Sequence, residues 1–326
     1  MNETIIVVGA GQAGSWSALI IRAEGFHGRV ILIGEEPYPP YERPPLSKKL
    51  LVTDENFEQA ILHGKNHYAD QRIELRLGCR VDRIDRTERQ IRLSNSDVFS
   101  YDRLVIATGS KVKKIQLPGA DLPGVYYLRN IDDSLAIRRT LASEARVVVI
   151  RGGYIGLEVA AAARARGCSV TVLESQDRVM NRVVAPEMSK FLTTLHRENG
   201  INVHTNVECA EIRSKQNSGA DRAEGVASAD DTFFPADAVV IGIGVSPRDG
   251  LASAAGIACD DGIIVDGLGR TNDPNVFAAG DAARQPSSLY GRRIRLESWQ
   301  NAQNQAIAVG QSLCGRGVPY DAVPGF

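Results

Sequence analysis

Residues 4–14 read TIIVVGAGQAG and decide the fold of the chain. The apolar, β-branched run at 4–8 predicts a buried strand, and residues 15–23 predict a helix that Gly25 ends. A second strand is expected at 29–33, and Glu35 and Glu36 stand just past its end. A strand, a glycine turn, a helix, a strand and an acidic residue follow each other in the order that a dinucleotide-binding βαβ unit requires.

The glycine turn has the full G-x-G-x-x-G spacing, and each glycine has a physical role. Gly9 allows a sharp turn off the strand, Gly11 leaves the backbone open to a pyrophosphate, and Gly14 allows close helix–strand packing. The N-terminus of the helix that follows offers free N–H groups and a partial positive charge, which favour phosphate. The motif alone is a weak signal, since glycine turns are common, but its flanking elements make a dinucleotide site the stronger interpretation.

The same pattern occurs again in the middle of the chain. A strand is expected at 146–150, a glycine turn RGGYIG at 151–156, an alanine-rich helix at 157–166 and a strand at 169–173, followed by Glu174. Two such units in one chain are far more specific than one. They predict that one unit binds FAD and the other a nicotinamide dinucleotide.

Two residues of the second unit bear on its ligand. Arg151 stands where the first glycine is expected, and its Cβ opposes the turn at a cost of about 1 kcal/mol or more. It either crowds the pyrophosphate or supplies a charge to it, and the sequence leaves both open. Glu174 predicts NADH rather than NADPH, because a carboxylate bonds a free 2′-hydroxyl and repels a 2′-phosphate. Arg178 and Arg182, farther along, are the basic residues that argue against this preference.

Composition narrows the class of protein. The chain has 326 residues, 43% of them hydrophobic and 24% charged, which suits a globular protein of two domains. The net charge of −1 argues against a field that attracts nucleic acid or a membrane. We expect no membrane-spanning segment, since no apolar run is long enough, and no signal peptide, since the strand expected at Thr4 leaves no room for one. The five scattered cysteines, without a C-x-x-C pair, favour the cytoplasm.

Two further stretches contain candidate site residues. Residues 37–45 include five prolines, which predicts a stiff, extended loop without helix before Pro45. Such a loop can hold Arg43 and Lys48 in fixed positions, although a solvated basic loop is the simpler interpretation. At 275–282 the sequence NVFAAGDA predicts a strand that ends in Gly-Asp, where the acid either bonds a polyol or caps a helix.

Four short motifs carry a family resemblance: RPPLSK at 43–48, ATG at 107–109, GYIGLE at 153–158 and AAGD at 278–281. Together with the two βαβ units they resemble the FAD-dependent NADH:ferredoxin reductases of bacterial oxygenase systems, along the whole chain. The resemblance implies an α/β protein with two Rossmann-like domains in a glutathione-reductase-like FAD/NAD(P) fold. It implies a discontinuous FAD-binding domain formed by residues 1–110 and 244–326, and an NAD-binding domain formed by residues 111–243. The family continues into a C-terminal third domain, which we expect to be absent or truncated here.

The resemblance also implies site residues. Those for FAD are Gly9, Gly11, Gln12, Ala13, Gly14, Glu35, Arg43, Lys48, Val81, Ala107, Thr108, Gly109, Arg129, Asp281 and Trp299. Those for NAD are Gly153, Tyr154, Ile155, Gly156, Glu174 and Arg182. Lys48 would lie near flavin N5 and pair with Glu158, and these two would be the catalytic residues. A cation there stabilises reduced flavin, and a carboxylate beside it keeps the lysine charged.

The function implied is electron transfer from NADH through FAD to a [2Fe–2S] ferredoxin that feeds an oxygenase of aromatic or terpene catabolism. Basic residues that could contact an acidic ferredoxin are Lys111, Lys113, Lys114, Arg292, Arg293 and Arg295, although solvated surface charges are an equally good interpretation. The alternatives are a non-enzymatic NADH-sensing flavoprotein, and a reductase of rubredoxin or another small acceptor. A disulfide reductase would need cysteines near the flavin, and a metal site at His63 and His67 lacks further ligands.

Overall fold

The computed structural model describes residues 3–215 and 221–324. Its α-helices are α1 (Gln12–Ala23), α2 (Lys49–Val52), α3 (Lys65–Asp70), α4 (Ile131–Thr140), α5 (Tyr154–Ala165), α6 (Pro186–Glu198), α7 (Gly250–Ala254) and α8 (Trp299–Leu313). Short 3-10 helices cover Pro44–Ser47, Phe57–Ala60 and Gly280–Ala282. Across these described ranges, no helix is both long and apolar enough to cross a membrane.

The strands are short and are numbered in chain order. They are β1 (Thr4–Val8), β2 (Arg29–Ile33), β3 (Ile73–Arg76), β4 (Val81–Asp85), β5 (Gln90–Leu93), β6 (Val98–Ser100), β7 (Arg103–Ile106), β8 (Ser110–Val112), β9 (Val125–Tyr126), β10 (Arg146–Ile150), β11 (Ser169–Leu173), β12 (Ile201–His204), β13 (Cys209–Lys215), β14 (Arg222–Ser228), β15 (Phe233–Pro235), β16 (Ala238–Ile241), β17 (Val245–Pro247), β18 (Ile263–Ile264), β19 (Val276–Ala278), β20 (Ala283–Ser287) and β21 (Arg292–Ile294).

The chain forms two compact units. The first contains the described residues of 1–42, 60–111 and 246–326, and the second those of 43–59 and 112–245. In the first unit a parallel sheet has the order β19-β7-β1-β2-β3. Ile5 and Val7 of β1 pack into one core with α1 and α8, while Ile6 and Val8 pack into a second core on the other face. Burial on both faces explains why β1 is apolar at every position after Thr4.

The second unit repeats this architecture. Its parallel sheet has the order β12-β11-β10-β16-β9, and β13, β14 and β15 form a separate antiparallel sheet. The polar stretch 214–231 predicts a loose hairpin, and β13 and β14 do pair as an antiparallel ladder, whose register shifts between Arg213 and Ser214. Residues 216–220 lie outside the described residues, as do residues 1–2 and 325–326 at the chain ends.

Residues 43–59 belong to the second unit, whereas the family resemblance assigned them to the FAD-binding domain. The physical reason is that helices of the second unit satisfy the carbonyl groups of this segment. On α4, Ser134 Oγ donates to the Leu46 carbonyl (2.8 Å) and Arg138 Nη1 to the Glu55 carbonyl (2.9 Å). The expectation of an extended loop up to Pro45 is wrong, since a 3-10 helix begins at Pro44, and proline fits a first helical position, which needs no N–H.

Tyr68 yields a prediction about alkaline stability. Its side chain is fully buried, and its hydroxyl lies 2.7 Å from the Ser15 hydroxyl on α1. Burial raises the pKa of Tyr68 to about 12, above the usual value near 10. Because the folded state disfavours the phenolate, the stabilisation is complete below about pH 10 and is lost as the pH rises toward 12.

We therefore expect the free energy of unfolding to fall by about 1–2 kcal/mol more between pH 9 and pH 11 in the wild type than in Tyr68→Phe. At pH 8 the Phe variant should itself be less stable by about 1–2 kcal/mol, since the buried Ser15 hydroxyl loses its partner. Urea unfolding at both pH values measures this. Equal losses in the two proteins would show that Tyr68 does not titrate as its burial requires.

Candidate functional site

The first glycine turn is built so that two of its glycines are required by packing. Gly9 has a φ of +111°, and a Cβ there would lie 2.2 Å from the Ala107 carbonyl oxygen. At Gly14 a Cβ would lie 1.7 Å from the Gly9 carbonyl oxygen. Both contacts are with backbone, which cannot move aside as a flexible side chain can. Glycine at these two positions is therefore what allows the turn to pack against the start of α1 and the ATG segment after β7.

Gly11 differs, because a Cβ there would meet no atom within 4 Å. Its φ of −94° and ψ of −163° suit any residue, so neither the backbone nor packing demands glycine. Gly11 is the N-cap of α1, and no side chain caps the helix, so the first N–H groups, at Gln12 and Ala13, have no capping side chain. An open helix N-terminus fits the pyrophosphate of FAD, and these residues would hold it.

Glu35 lies just past β2 and forms an ion pair that the sequence did not indicate. Arg248 Nη2 lies 2.6 Å from Glu35 Oε2. The Arg248 backbone is itself held to the ATG segment, because its N–H donates to the Gly109 carbonyl (2.9 Å) and its carbonyl accepts from Thr108 Oγ1 (2.7 Å). Arg248 thus contacts both the Glu35 carboxylate and the backbone or side chain of Thr108 and Gly109. No motif surrounds Arg248, so sequence alone offered no signal for it.

Asp281 lies in the 3-10 helix that follows β19. Ser110 Oγ donates to Asp281 Oδ2 (2.8 Å), and the Gly280 N–H donates to the buried Gln305 side chain (2.8 Å). Asp281 therefore does not cap an α-helix, and its bonding of a polyol stays a prediction. Its carboxylate is oriented by Ser110, and Gln305 fixes the backbone before it. Neither partner was predicted, although Ser110 directly follows the ATG motif.

Two other predicted FAD residues lie in the first unit. Trp299 begins α8, and its indole is 44% exposed. With the Gln12 amide oxygen facing the indoles, Gln12 accepts from Trp299 Nε1 (3.1 Å) and Trp16 Nε1 (3.2 Å), which ties Trp299 to the start of α1. Val81 is buried at the start of β4. The first unit thus brings Gln12 and Trp299 together, while Val81 takes part in its core.

The predicted catalytic pair forms within the second unit. Lys48 Nζ lies 2.9 Å from Glu158 Oε1, and Ser47 Oγ donates to Glu158 Oε2. Both carboxylate oxygens are therefore engaged, which fixes the orientation of Glu158 on α5. The Lys48 side chain remains 52% exposed and so presents its charge to solvent or ligand. Ser47 was not predicted, although it lies inside the RPPLSK motif.

Arg43 and Arg129 also lie in the second unit. The Arg43 guanidinium donates to the Arg129 carbonyl. Arg129 precedes the capping box of α4, in which the Asn130 side chain accepts from the Asp133 N–H (2.8 Å) and Asp133 Oδ2 accepts from the Asn130 N–H (3.1 Å). The capped helix start therefore holds the Arg129 backbone against which Arg43 is positioned.

The second glycine turn reproduces the first despite Arg151. Arg151 has a φ of +84°, in the left-handed region, and its N–H donates to the Leu173 carbonyl (2.8 Å), just as Gly9 donates to Ile33 (2.8 Å). At Gly156 a Cβ would lie 2.1 Å from the Arg151 carbonyl oxygen, so this glycine is required by packing.

Open space lies beside Gly153, the N-cap of α5. The nearest atom to a Cβ there is the Gly242 carbonyl oxygen at 3.9 Å, and no side chain caps the helix. Tyr154 and Ile155 follow, and these residues are 53% and 43% exposed. An open helix start with two exposed apolar side chains fits a nicotinamide dinucleotide, which has both a pyrophosphate and flat rings.

Glu174 stands at the end of β11, but its carboxylate is buried and occupied. Its Oε2 accepts from the Gly152 N–H (2.9 Å) and its Oε1 from the Gln176 N–H (2.9 Å). The Arg151 guanidinium pairs with it at 3.4 Å. The sequence left open whether Arg151 crowds the pyrophosphate or supplies a charge to it, and the structure shows a third arrangement, in which its charge pairs with Glu174. Arg182 lies on the surface between β11 and α6.

The cysteines and histidines form no catalytic cluster in the described ranges. All five cysteines are free thiols, and burial raises the pKa of Cys209 and Cys259 to about 11. Thiolates, the reactive form, are therefore scarce at these two positions near neutral pH. The rings of His63 and His67 stack with centroids 4.4 Å apart. No three His, Cys, Asp or Glu side chains of the described residues group as metal ligands.

Comparison with known proteins matches residues 3–306 to the pyridine nucleotide-disulphide oxidoreductase family. Rhodocoxin reductase of Rhodococcus erythropolis is 41% identical over 323 residues, 99% of this chain and 75% of that protein. The biphenyl dioxygenase system ferredoxin–NAD(+) reductase component of Paraburkholderia xenovorans is 37% identical over 324 residues, 99% of this chain and 78% of its own. The solved covalent putidaredoxin reductase–putidaredoxin complex aligns with a TM-score of 0.94 at 39% identity, over 98% and 77% of the two chains.

These comparisons confirm the predicted family and the predicted α/β fold with FAD and NAD(P) domains. They also confirm that the cofactors are FAD and a nicotinamide dinucleotide. Both predicted glycine turns end in an open helix start, at Gly11 and at Gly153. The chain therefore belongs to the pyridine nucleotide-disulphide oxidoreductase family and, within that family, to the ferredoxin reductases.

Proposed function

We propose that this protein oxidises NADH and passes the electrons through FAD to a [2Fe–2S] ferredoxin that serves an oxygenase. The observation that carries the proposal is the presence of two βαβ units with open helix starts in a chain that is 41% identical to rhodocoxin reductase. Putidaredoxin reductase, its structural neighbour, has been crystallised joined to putidaredoxin. NADH supplies two electrons as a hydride, and two ferredoxins each take one, so the electrons balance.

Bound FAD would accept the electron pair of the hydride and release its electrons singly, which a nicotinamide cannot do. The protein itself binds, orients and stabilises charge. Gly11, Gln12 and Ala13 would hold the FAD pyrophosphate through backbone N–H groups, and Glu35 and Asp281 would accept from hydroxyls. Gly153 to Gly156 would hold the nicotinamide dinucleotide in the same way. Lys48, oriented by Glu158, would supply the cation that reduced flavin needs.

An anaerobic titration tests this proposal. The purified protein should be yellow, and its flavin bands should bleach on addition of about one equivalent of NADH. Repeated turnover with a ferredoxin then separates an enzyme from an NADH-sensing flavoprotein, which would form one long-lived charge-transfer complex instead. A protein that cannot be reconstituted with FAD contradicts the proposal, and turnover with rubredoxin but with no ferredoxin would favour the alternative small-acceptor reductase.

The basic residues proposed for ferredoxin docking differ in whether their side chains already contact other groups of the protein. Arg295 is only 10% exposed and pairs with Glu297 (2.6 Å) and Asp261 (3.3 Å), and Arg293 donates to the Val265 carbonyl. Lys114 lies over the Tyr127 ring at 3.7 Å. These three have structural contacts. The exposed residues Lys111, Lys113 and Arg292 are therefore the better candidates for contacting an acidic partner.

We expect neutralising Lys111, Lys113 and Arg292 to glutamine to slow ferredoxin reduction by about tenfold at low salt, with a smaller effect at high salt. Reduction of a neutral dye by NADH should not change. A matched control neutralises three exposed arginines of the sheet β4-β5-β6, namely Arg83, Arg89 and Arg92. Equal slowing in the control would attribute the effect to net charge and reject a specific docking site.

We also propose that the protein works in the cytoplasm. All five cysteines are free thiols, which suits a reducing compartment. NADH, the electron donor, is likewise a cytoplasmic metabolite. Fractionation of cells that express a tagged full-length chain tests this assignment, and recovery of the protein from an oxidising compartment would contradict it.

A further inference from the structure

The charge balance around Glu174 differs from that of a site that selects NADH. Such selection needs a carboxylate that is free to bond the 2′-hydroxyl and that repels a 2′-phosphate. In this chain the Glu174 side chain is only 6% exposed, and the Arg151 guanidinium lies 3.4 Å from its Oε1. The cation therefore cancels most of the field of this carboxylate at the place where the ribose would lie.

The hydrogen-bonding capacity of Glu174 is also largely used. Each carboxylate oxygen already accepts a backbone N–H at 2.9 Å, from Gly152 and from Gln176. Little capacity remains for both hydroxyls of a ribose. Arg151, in contrast, is 32% exposed and has five N–H donors, of which one faces Glu174. The accessible group at this corner of the site is thus a cation with unused donors.

Two further arginines follow Glu174 along the chain, and they differ in their contacts. Arg178 donates to the carbonyls of Val184 (2.9 Å) and Asn181 (3.0 Å), so it holds the turn before α6. Arg182 is exposed and forms no ion pair with another described residue. A 2′-phosphate at this position would meet Arg151, and Arg182 adds positive charge on the same turn.

We propose that Arg151 makes the second βαβ unit accept the 2′-phosphorylated dinucleotide, NADPH, as well as NADH. The inference rests on the proposed function, since it takes this unit to bind the nicotinamide dinucleotide. The left-handed turn admits Arg151 at a conformational cost, and its guanidinium neutralises the acid that would otherwise exclude the phosphate. Arg151 is in this sense a specificity-determining residue.

Binding of nucleotide fragments tests the proposal without any dependence on catalysis. Titration calorimetry on the FAD-loaded protein compares 2′,5′-ADP with 5′-AMP, which differ only in the 2′-phosphate. In the wild type the two dissociation constants should agree to within about tenfold. In Arg151→Gln, which keeps a side chain at the same backbone position without charge, the ratio should rise by about tenfold or more against 2′,5′-ADP.

Two additional variants separate charge from shape. Arg151→Lys should retain most of the 2′,5′-ADP affinity, and Arg151→Gly, which restores the glycine fingerprint, should discriminate as Arg151→Gln does. The proposal about Arg151 is overturned if the ratio of the two dissociation constants is unchanged in the Gln and Gly variants, or if the wild type already excludes 2′,5′-ADP. Either result leaves the proposed function intact. If the FAD-loaded wild type binds neither fragment, the second unit is not the dinucleotide site, and the proposed function fails with it.

Discussion

Alanine at Gly14 is expected to destroy the first unit, whereas alanine at Gly11 should leave it folded but unable to hold FAD. A methyl group at Gly14 would lie 1.7 Å from the Gly9 carbonyl oxygen, and the helix cannot yield without breaking the glycine turn. We expect a loss of about 3 kcal/mol or more in the free energy of unfolding, far above the helix-propensity gain of alanine. Most of the protein should then be insoluble or proteolysed.

At Gly11 the same substitution meets no atom within 4 Å and a backbone conformation that alanine accepts. The unfolding free energy of the apoprotein should therefore change by less than about 0.5 kcal/mol. The methyl group would stand where the pyrophosphate must approach the N–H groups of α1. We expect FAD affinity to fall by about a hundredfold, measured by fluorescence titration of the apoprotein.

Gly64→Ala is the matched control, because Gly64 also has no neighbour within 4 Å of a Cβ and also caps a helix, α3, at its N-terminus. It should bind FAD as the wild type does. If Gly11→Ala retains normal FAD affinity, the pyrophosphate does not lie at the start of α1. If Gly14→Ala folds normally, the closeness of the two backbones is not what makes glycine necessary.

Replacing Lys48 with methionine should have the second largest effect, on the reduction of the flavin by NADH. The Lys48 ammonium is held 2.9 Å from Glu158, and we propose that it stabilises the negative charge of reduced flavin. Its loss should slow anaerobic flavin bleaching by about a hundredfold, lower the flavin midpoint potential and leave FAD content unchanged. Stopped-flow spectroscopy and redox titration measure the two effects separately.

The neighbouring lysine provides a control of the same charge. Lys49 pairs with Glu55 at 2.7 Å and is 57% exposed, so Lys49→Met removes one positive charge and one ion pair next to the same position. We expect less than about a twofold change in rate, because exposed ion pairs contribute little. Glu158→Gln should slow reduction by about tenfold, since an amide still accepts from Ser47 but no longer holds the ammonium by charge. Equal rates in Lys48→Met and Lys49→Met would reject a role for Lys48.

The sequence determined the two βαβ units, because their signals are local. An apolar strand, a glycine turn and a helix stop lie within about 30 residues of one another, and the strands at Thr4–Val8 and Arg146–Ile150 have the predicted bounds. It also determined the family through four short motifs. The pairing of Lys48 with Glu158, implied by that resemblance, is present in the structure.

Only the tertiary structure decided which groups complete each site, because these partners are far apart in sequence. Arg248 reaches Glu35 across 213 residues, and no local pattern marks either one as the partner of the other. The segment 43–59 joins the second unit because side chains on α4 satisfy its carbonyls, which its two prolines, Pro44 and Pro45, could not indicate. Arg151 and Glu174 were both recognised in the sequence. Only the folded backbone shows that Arg151 adopts a left-handed conformation and that its guanidinium pairs with the Glu174 carboxylate.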